Sequence, residues 1–151
     1  MNIGQICQRR VVTVSASDDL ASAARLMREQ HIGYLVVIEP AFQENGVRPV
    51  GVLTDRDIVV TVVAREADPR SLRVGDVMTQ APVTVLADDP VSDALEQMKR
   101  IGVRRLPVVT DGGILAGVVS LDDVVTKMAE DLGSAAGAIG RERALESVLR
   151  P

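Results

Sequence analysis

The chain has 151 residues, 46% of them hydrophobic and 25% charged, with a formal net charge of −4. That is enough apolar material for one ordinary domain, or for two half-size units that share a core. The mild acidity offers no clustered basic footprint for nucleic acid or an anionic membrane surface. No apolar run approaches the roughly 20 residues of a spanning helix. Met1–Arg10 lacks the basic-then-apolar order of a signal peptide, and one cysteine builds no intramolecular disulfide, so the chain reads as cytoplasmic. Tyr34 and Phe42 are the only aromatic residues. The core must therefore come from Val, Ile, Leu, Met and Ala, and few rings remain for stacking on bases.

In chain order, the first run is a short strand, Val11–Val14, followed by Asp18 as the expected N-cap of a helix. Leu20, Ala23, Ala24 and Met27 recur at helical spacing and make one buried stripe. His31 falls at the end of that helix, where a cation suits the dipole. Two β-rich runs follow, Tyr34–Ile38 and Val50–Leu53, separated by Glu39–Arg48, which reads as a longer surface turn because it holds Pro40, Asn45 and Gly46. A second helix is expected over Asp55–Ala64. Arg65–Val74, polar and containing Pro69, reads as a linker.

The same order then repeats. Shifting the sequence by 71 places sets Val11–Ile38 against Pro82–Val109, with identities at Val12/Val83, Thr13/Thr84, Val14/Val85, Ala16/Ala87, Asp18/Asp89, Ala23/Ala94, Met27/Met98, Leu35/Leu106 and Val37/Val108. After a five-residue gap the match resumes, Gly51–Asp57 against Gly117–Asp123. Fixed-period self-similarity of this kind marks a duplication. The second copy predicts a strand at Val83–Leu86, Asp89 as N-cap with Pro90 at the first helical position, and a helix with Val91, Ala94, Leu95 and Met98 inward. It ends with strands Leu106–Val109 and Ile114–Val119 and a helix over Leu121–Asp131. The expected fold class is α+β: two tandem β-α-β-β-α repeats, residues 1–64 and 75–131, joined by the linker 65–74. Each is too small to stand alone, so the two should pack sheet to sheet. Residues 132–151 read as a flexible tail opening on Gly133–Ala138; Leu145, Val148 and Leu149 share a helical face there, as a frayed end or as a docking helix.

Catalytic constellations are missing. A single histidine and a single cysteine support neither a zinc cluster nor a Cys–His nucleophile pair, and Cys7 reads as a small apolar filler. Neither phosphate-binding glycine loop, Walker-type or G-x-G-x-x-G, occurs. What recurs is G-x-x-[ST]-x-x-D: Gly51, Thr54, Asp57 and Gly117, Ser120, Asp123. One reading is a capping box, with hydroxyl and carboxylate satisfying orphan helix amides. The other is a ligand site, where the carboxylate accepts ribose hydroxyls and the glycine admits a close backbone approach by ligand. Arg104 and Arg105 precede the strand Leu106–Val109. Alternate strand residues face opposite ways, so one arginine either points into an inter-repeat cleft toward phosphate or both lie solvated on the strand edge.

The duplicated unit, the string Gly102-Val103-Arg104-Arg105-Leu106-Pro107-Val108-Val109 and the string Gly51-Val52-Leu53-Thr54-Asp55-Arg56-Asp57-Ile58-Val59 closely resemble the cystathionine-β-synthase (CBS) domain pair, over about residues 3–131. The chain is similar to stand-alone bacterial members. The resemblance implies a pseudo-two-fold pair with two clefts, each taking apolar and backbone groups from one repeat and the hydroxyl–aspartate pair from the other. One would combine Val12, Ile32 and Gly33 with Ser120 and Asp123. The second would combine Met78, Val83, Val103 and Arg104 with Thr54 and Asp57, and Arg104 and Arg105 would meet phosphates. The first copy departs from the pattern, with Gly33-Tyr34 in place of the arginines and Val36 in place of the proline, so the clefts should be unequal. The implied function is regulatory: an adenosine-containing nucleotide of the AMP, ADP or ATP class is sensed, with no required cofactor, no metal and no enzymatic activity. A homodimer is expected, and an unidentified regulated protein is a further partner. The alternative is a ligand-free interaction or dimerisation module with vestigial clefts.

Overall fold

The computed structural model describes residues 1–42 and 45–150. The first repeat holds β1 (Thr13–Ser15), α1 (Leu20–Gln30), β2 (Tyr34–Pro40), β3 (Val47–Thr54) and α2 (Asp55–Ile58), the last continued by a π-helical turn over Val59–Val63. After a 3-10 turn at Pro69–Ser71 come α3 (Val74–Val77) and β4 (Thr79–Gln80). The second repeat holds β5 (Val85–Leu86), α4 (Val91–Ile101), β6 (Arg105–Val109), β7 (Leu115–Ser120) and α5 (Leu121–Leu149). One sheet runs β1-β2-β3-β4 and the other β5-β6-β7, so the duplication and the mixed α+β architecture are both realised.

In each sheet the opening strand is parallel to the next, which then turns back antiparallel. Even the irregularities repeat: the register slips at Val37/Ile38 and again at Val108/Val109, positions related by the 71-residue offset. Strand alternation divides the burial. Leu35, Val37 and Leu53 meet Leu20, Ala23 and Met27 of α1 in one core. Leu106, Val108 and Val119 meet Val91, Ala94 and Met98 of α4 in the other. Val36 and Pro107, equivalent under the offset, are fully buried yet belong to neither cluster; alternation turns them to the opposite face, where β3 meets β7.

The two cores are not closed by their own sequence copies. Ile3, fully buried, packs in the second repeat's core, and its backbone N–H donates to the Asp89 carbonyl. Val74, also fully buried, packs in the first repeat's core, and its N–H donates to the Asp18 carbonyl. Gly4 and Gly75 each let the chain pass against an alanine carbonyl, a Cβ there falling 3.1 Å from Ala87 O or Ala16 O. Gln8 bridges Val118 as Thr79 pairs with Val52. The segment that opens each copy therefore crosses to complete the other. The end of the expected linker, Val74, is thus a core residue.

Several local expectations are corrected. Asp18 and Asp89 do not cap helices; their carboxylates accept the Ser15 and Leu86 N–H groups at 2.8 and 3.1 Å and close the turns that end β1 and β5. The helices start one residue later, with Asp19 and Pro90 at the N-cap. Within Glu39–Arg48, β2 extends to Pro40 and β3 begins at Val47, and Gln43 and Glu44 of the expected turn lie outside the described residues. The expected flexible tail is instead helical: α5 runs unbroken through Gly133 and Gly137 to Leu149. A glycine in a helix costs about 1 kcal/mol relative to alanine, but α5 is already nucleated at its capped start, so each further residue needs no new nucleus. Ala135, Ala136 and Ala138 favour its continuation. Leu145, Val148 and Leu149 are exposed and dock on nothing within the chain.

Candidate ligand-binding site

A cavity of about 360 Å³ opens between the repeats, within the size range of small-molecule sites. From the first repeat it takes Val12, Ile32 and Gly33; from the second, Arg105, Ser120 and Asp123. These are six of the residues expected to bind ligand. Met78, Val83, Val103, Arg104, Thr54 and Asp57 do not line it.

The strand-to-helix junction builds the polar side. Ser120 ends β7 in an extended conformation and caps α5, its Oγ accepting the Asp123 N–H at 3.1 Å. Asp123 Oδ2 accepts the Ser120 N–H at 2.9 Å and the Ser120 hydroxyl at 2.6 Å. Its other oxygen, Oδ1, accepts one exposed bond, from Gln8 Nε2 at 3.1 Å. The capping box is therefore real, and it leaves Oδ1 at the cavity wall with one exchangeable partner. Thr54 and Asp57 form the same box on α2, at 3.1 and 2.9 Å.

The glycines of the repeated motif serve a different purpose from the expected one. A Cβ on Gly117 would lie 2.8 Å from Cys7 Sγ and from the Gln8 carbonyl, and one on Gly51 would lie 2.6 Å from Met78 Sδ. They admit the protein's own crossing segments, whose backbone completes the sheet. Cys7 is half-buried there, and burial pushes its thiol above 9.0.

Charge is distributed unevenly between the adjacent arginines. Arg104 pairs with Asp122 at 3.0 Å. Arg105 sits over the Tyr34 ring, 5.9 Å from its centroid, and no described carboxylate pairs with it or with Arg10, which also lines the cavity. His31 adjoins as well, in a left-handed conformation at the C-cap of α1. Tyr34 is half-buried with its hydroxyl enclosed and unpartnered, and burial drives its phenol far above 10.0 against the opposing pull of Arg105. Reasoning from motifs missed Gln8, Arg10 and Tyr34. The first two arrive on the crossing segment; for Tyr34 the available signal is its departure from the repeat, Gly33-Tyr34 standing where the second copy has Arg104-Arg105.

The CBS domain family profile matches residues 3–64 and 74–130, which covers most of the chain and both halves of the duplication. The chain belongs to the CBS domain family. A CBS domain protein from Pyrobaculum aerophilum complexed with AMP superposes with a TM-score of 0.74 at 29% identity, covering 90% of this chain and 99% of that one. A putative signal-transduction protein with CBS domains from Burkholderia ambifaria gives 0.74 at 29% identity, covering 87% and 96%. In sequence, an uncharacterized protein of Methanopyrus kandleri is 34% identical over 125 residues; the match covers 83% of this CBS pair and 61% of that relative's length. Among the described residues, no helix is long and apolar enough to cross a membrane.

Proposed function

We propose that the chain is a regulatory module that binds an adenosine-containing nucleotide between its CBS repeats and performs no chemistry on it. The observation that carries the reading is the cavity that joins the Ser120–Asp123 pair of one repeat to the apolar Val12, Ile32 and Gly33 of the other, with Arg10 and Arg105 beside it, paired with no carboxylate among the described residues. A carboxylate oxygen with one exposed partner suits a ribose diol, apolar walls suit a base, and unpaired guanidinium groups suit phosphate. The AMP held by the Pyrobaculum relative supports the same ligand class. Thermal shift with AMP, ADP, ATP and S-adenosylmethionine tests it. At 100-fold excess over Kd, linkage adds about 2.7 kcal/mol, a shift of several degrees; guanine nucleotides should give less. No shift with any adenosine compound at millimolar concentration refutes the proposal.

One observation favours the ligand-free alternative: both hydroxyl–aspartate pairs are already satisfied as capping boxes. In that case the apolar outer faces are the working surface. Val59, Val60 and Val63 beyond α2, and Val125 and Met128 on α5, are exposed, whereas the adjacent Val124 is a core residue. Apolar helical faces of this kind favour isologous pairing, and we assign the homodimer to them under either reading. Light scattering on the Val125→Glu, Met128→Glu double variant should show a monomer; an unchanged dimer would exclude this face.

A further inference from the structure

Tyr34 and Arg105 occupy the same position in the two copies, 71 residues apart, and they meet across the repeat boundary. Each stands opposite a hydroxyl residue of the repeated motif in its own sheet: Tyr34 pairs with Thr54, and Arg105 with Ser120. The neighbouring arginine has a different anchor. Arg104 is committed to Asp122, while Arg105, paired with no carboxylate among the described residues, has the ring of Tyr34 beneath its guanidinium. The ring lies against the cavity, and the phenol hydroxyl is enclosed without a hydrogen-bond partner.

From this arrangement we infer that Tyr34 is a positioning residue: its ring face holds the Arg105 guanidinium at the cavity, uncommitted to any carboxylate and ready for an anionic group of the ligand. This rests on the nucleotide reading above and specifies how the phosphate end is selected. An aromatic face attracts a guanidinium through its quadrupole without neutralising it. A carboxylate in the same place would hold the cation more tightly and cancel the charge a phosphate must meet. The long arginine side chain would otherwise lose much rotamer freedom on engaging a ligand; resting on the ring restricts it beforehand. The hydroxyl contributes nothing to this role, so the ring alone should suffice.

The test is calorimetry with AMP and, as the phosphate-free probe, adenosine. Tyr34→Leu removes the π face and should weaken AMP on the order of fivefold while adenosine stays within about twofold. Tyr34→Phe keeps the face and should retain AMP affinity, with a melting temperature no lower than the parent's, because it deletes an unpartnered buried hydroxyl. Arg105→Ala should lose AMP selectively, and adding Tyr34→Leu to it should cause no further loss. If Tyr34→Leu does not fold, Tyr34→Met, unbranched and without a π face, takes its place. Equal loss of AMP and adenosine would make Tyr34 a mere wall and overturn the inference. So would an unchanged AMP-to-adenosine ratio, or additive losses in the double variant. If the parent protein binds neither compound, the nucleotide reading fails and this inference falls with it, whereas binding with an unchanged ratio in Tyr34→Leu defeats this inference alone.

Discussion

Replacing Asp123 by asparagine separates the two things its carboxylate can do. The carboxylate accepts three bonds: from the Ser120 N–H, the Ser120 hydroxyl and the Gln8 amide. An asparagine oxygen at the Oδ2 position keeps the partly buried bond to the Ser120 backbone, so the cap survives. The amide nitrogen cannot accept from Gln8, but that bond is exposed and worth little. Loss of the negative charge in the first turn of α5 costs about 0.3–1 kcal/mol. Unliganded stability should therefore fall by no more than about 1 kcal/mol, against roughly 0.5–2 kcal/mol for Asp123→Ala, which loses the box. Affinity should respond differently. A charged hydrogen bond to a ribose hydroxyl contributes about 1.5–3 kcal/mol, so Asp123→Asn should weaken AMP by roughly 10- to 150-fold. Denaturant titration gives the first quantity and calorimetry the second. An Asn variant that binds AMP as tightly as the parent would show that the carboxylate only caps, and the ribose assignment would be wrong.

Tyr34 is the only tyrosine in the chain, so its titration is directly visible in tyrosinate absorbance. Its folded pKa is raised above 10.0 by burial; the stability associated with the neutral phenol is whole below 10.0 and is lost as pH climbs past it, because only the unfolded chain ionises there. Tyrosinate should appear together with loss of circular dichroism, and ionisation near 10.0 in a still-folded chain would contradict the enclosed ring. Ile3→Ala should destabilise by about 2–4 kcal/mol, the cost of a cavity in a packed core, although Ile3 lies far in sequence from the repeat it completes. A change below about 1 kcal/mol in urea would mean the crossing segment is ornamental. His31 holds a left-handed conformation where Gly102 serves in the second copy. His31→Gly should thus gain about 1 kcal/mol, and a loss on thermal denaturation would show that the imidazole makes contacts worth more than the strain.

Local pattern and internal repetition are written along the chain, and what depends on them was readable there. The 71-residue offset declared the duplication; helical spacing picked out Leu20, Ala23, Ala24 and Met27, all but Ala24 buried in one core; the repeated G-x-x-[ST]-x-x-D motif located both capping boxes. Val12, Ile32, Gly33, Ser120 and Asp123, which the resemblance to CBS pairs implies for one cleft, line one cavity. The crossing of the opening segments was not readable, because Gly4, Gly75 and Gly117 look locally like any glycine until the chain that passes them is in place. That crossing is what brings Gln8 to Asp123 and Arg10 to the cavity. Two adjacent arginines likewise carry no mark of their partners. Only the packed sheets turn Arg104 to Asp122 and Arg105 to a ring from the other repeat. Periodicity reports which face of an element is buried; which distant side chain that face meets is settled by tertiary packing, through contacts whose sequence separation leaves no local trace.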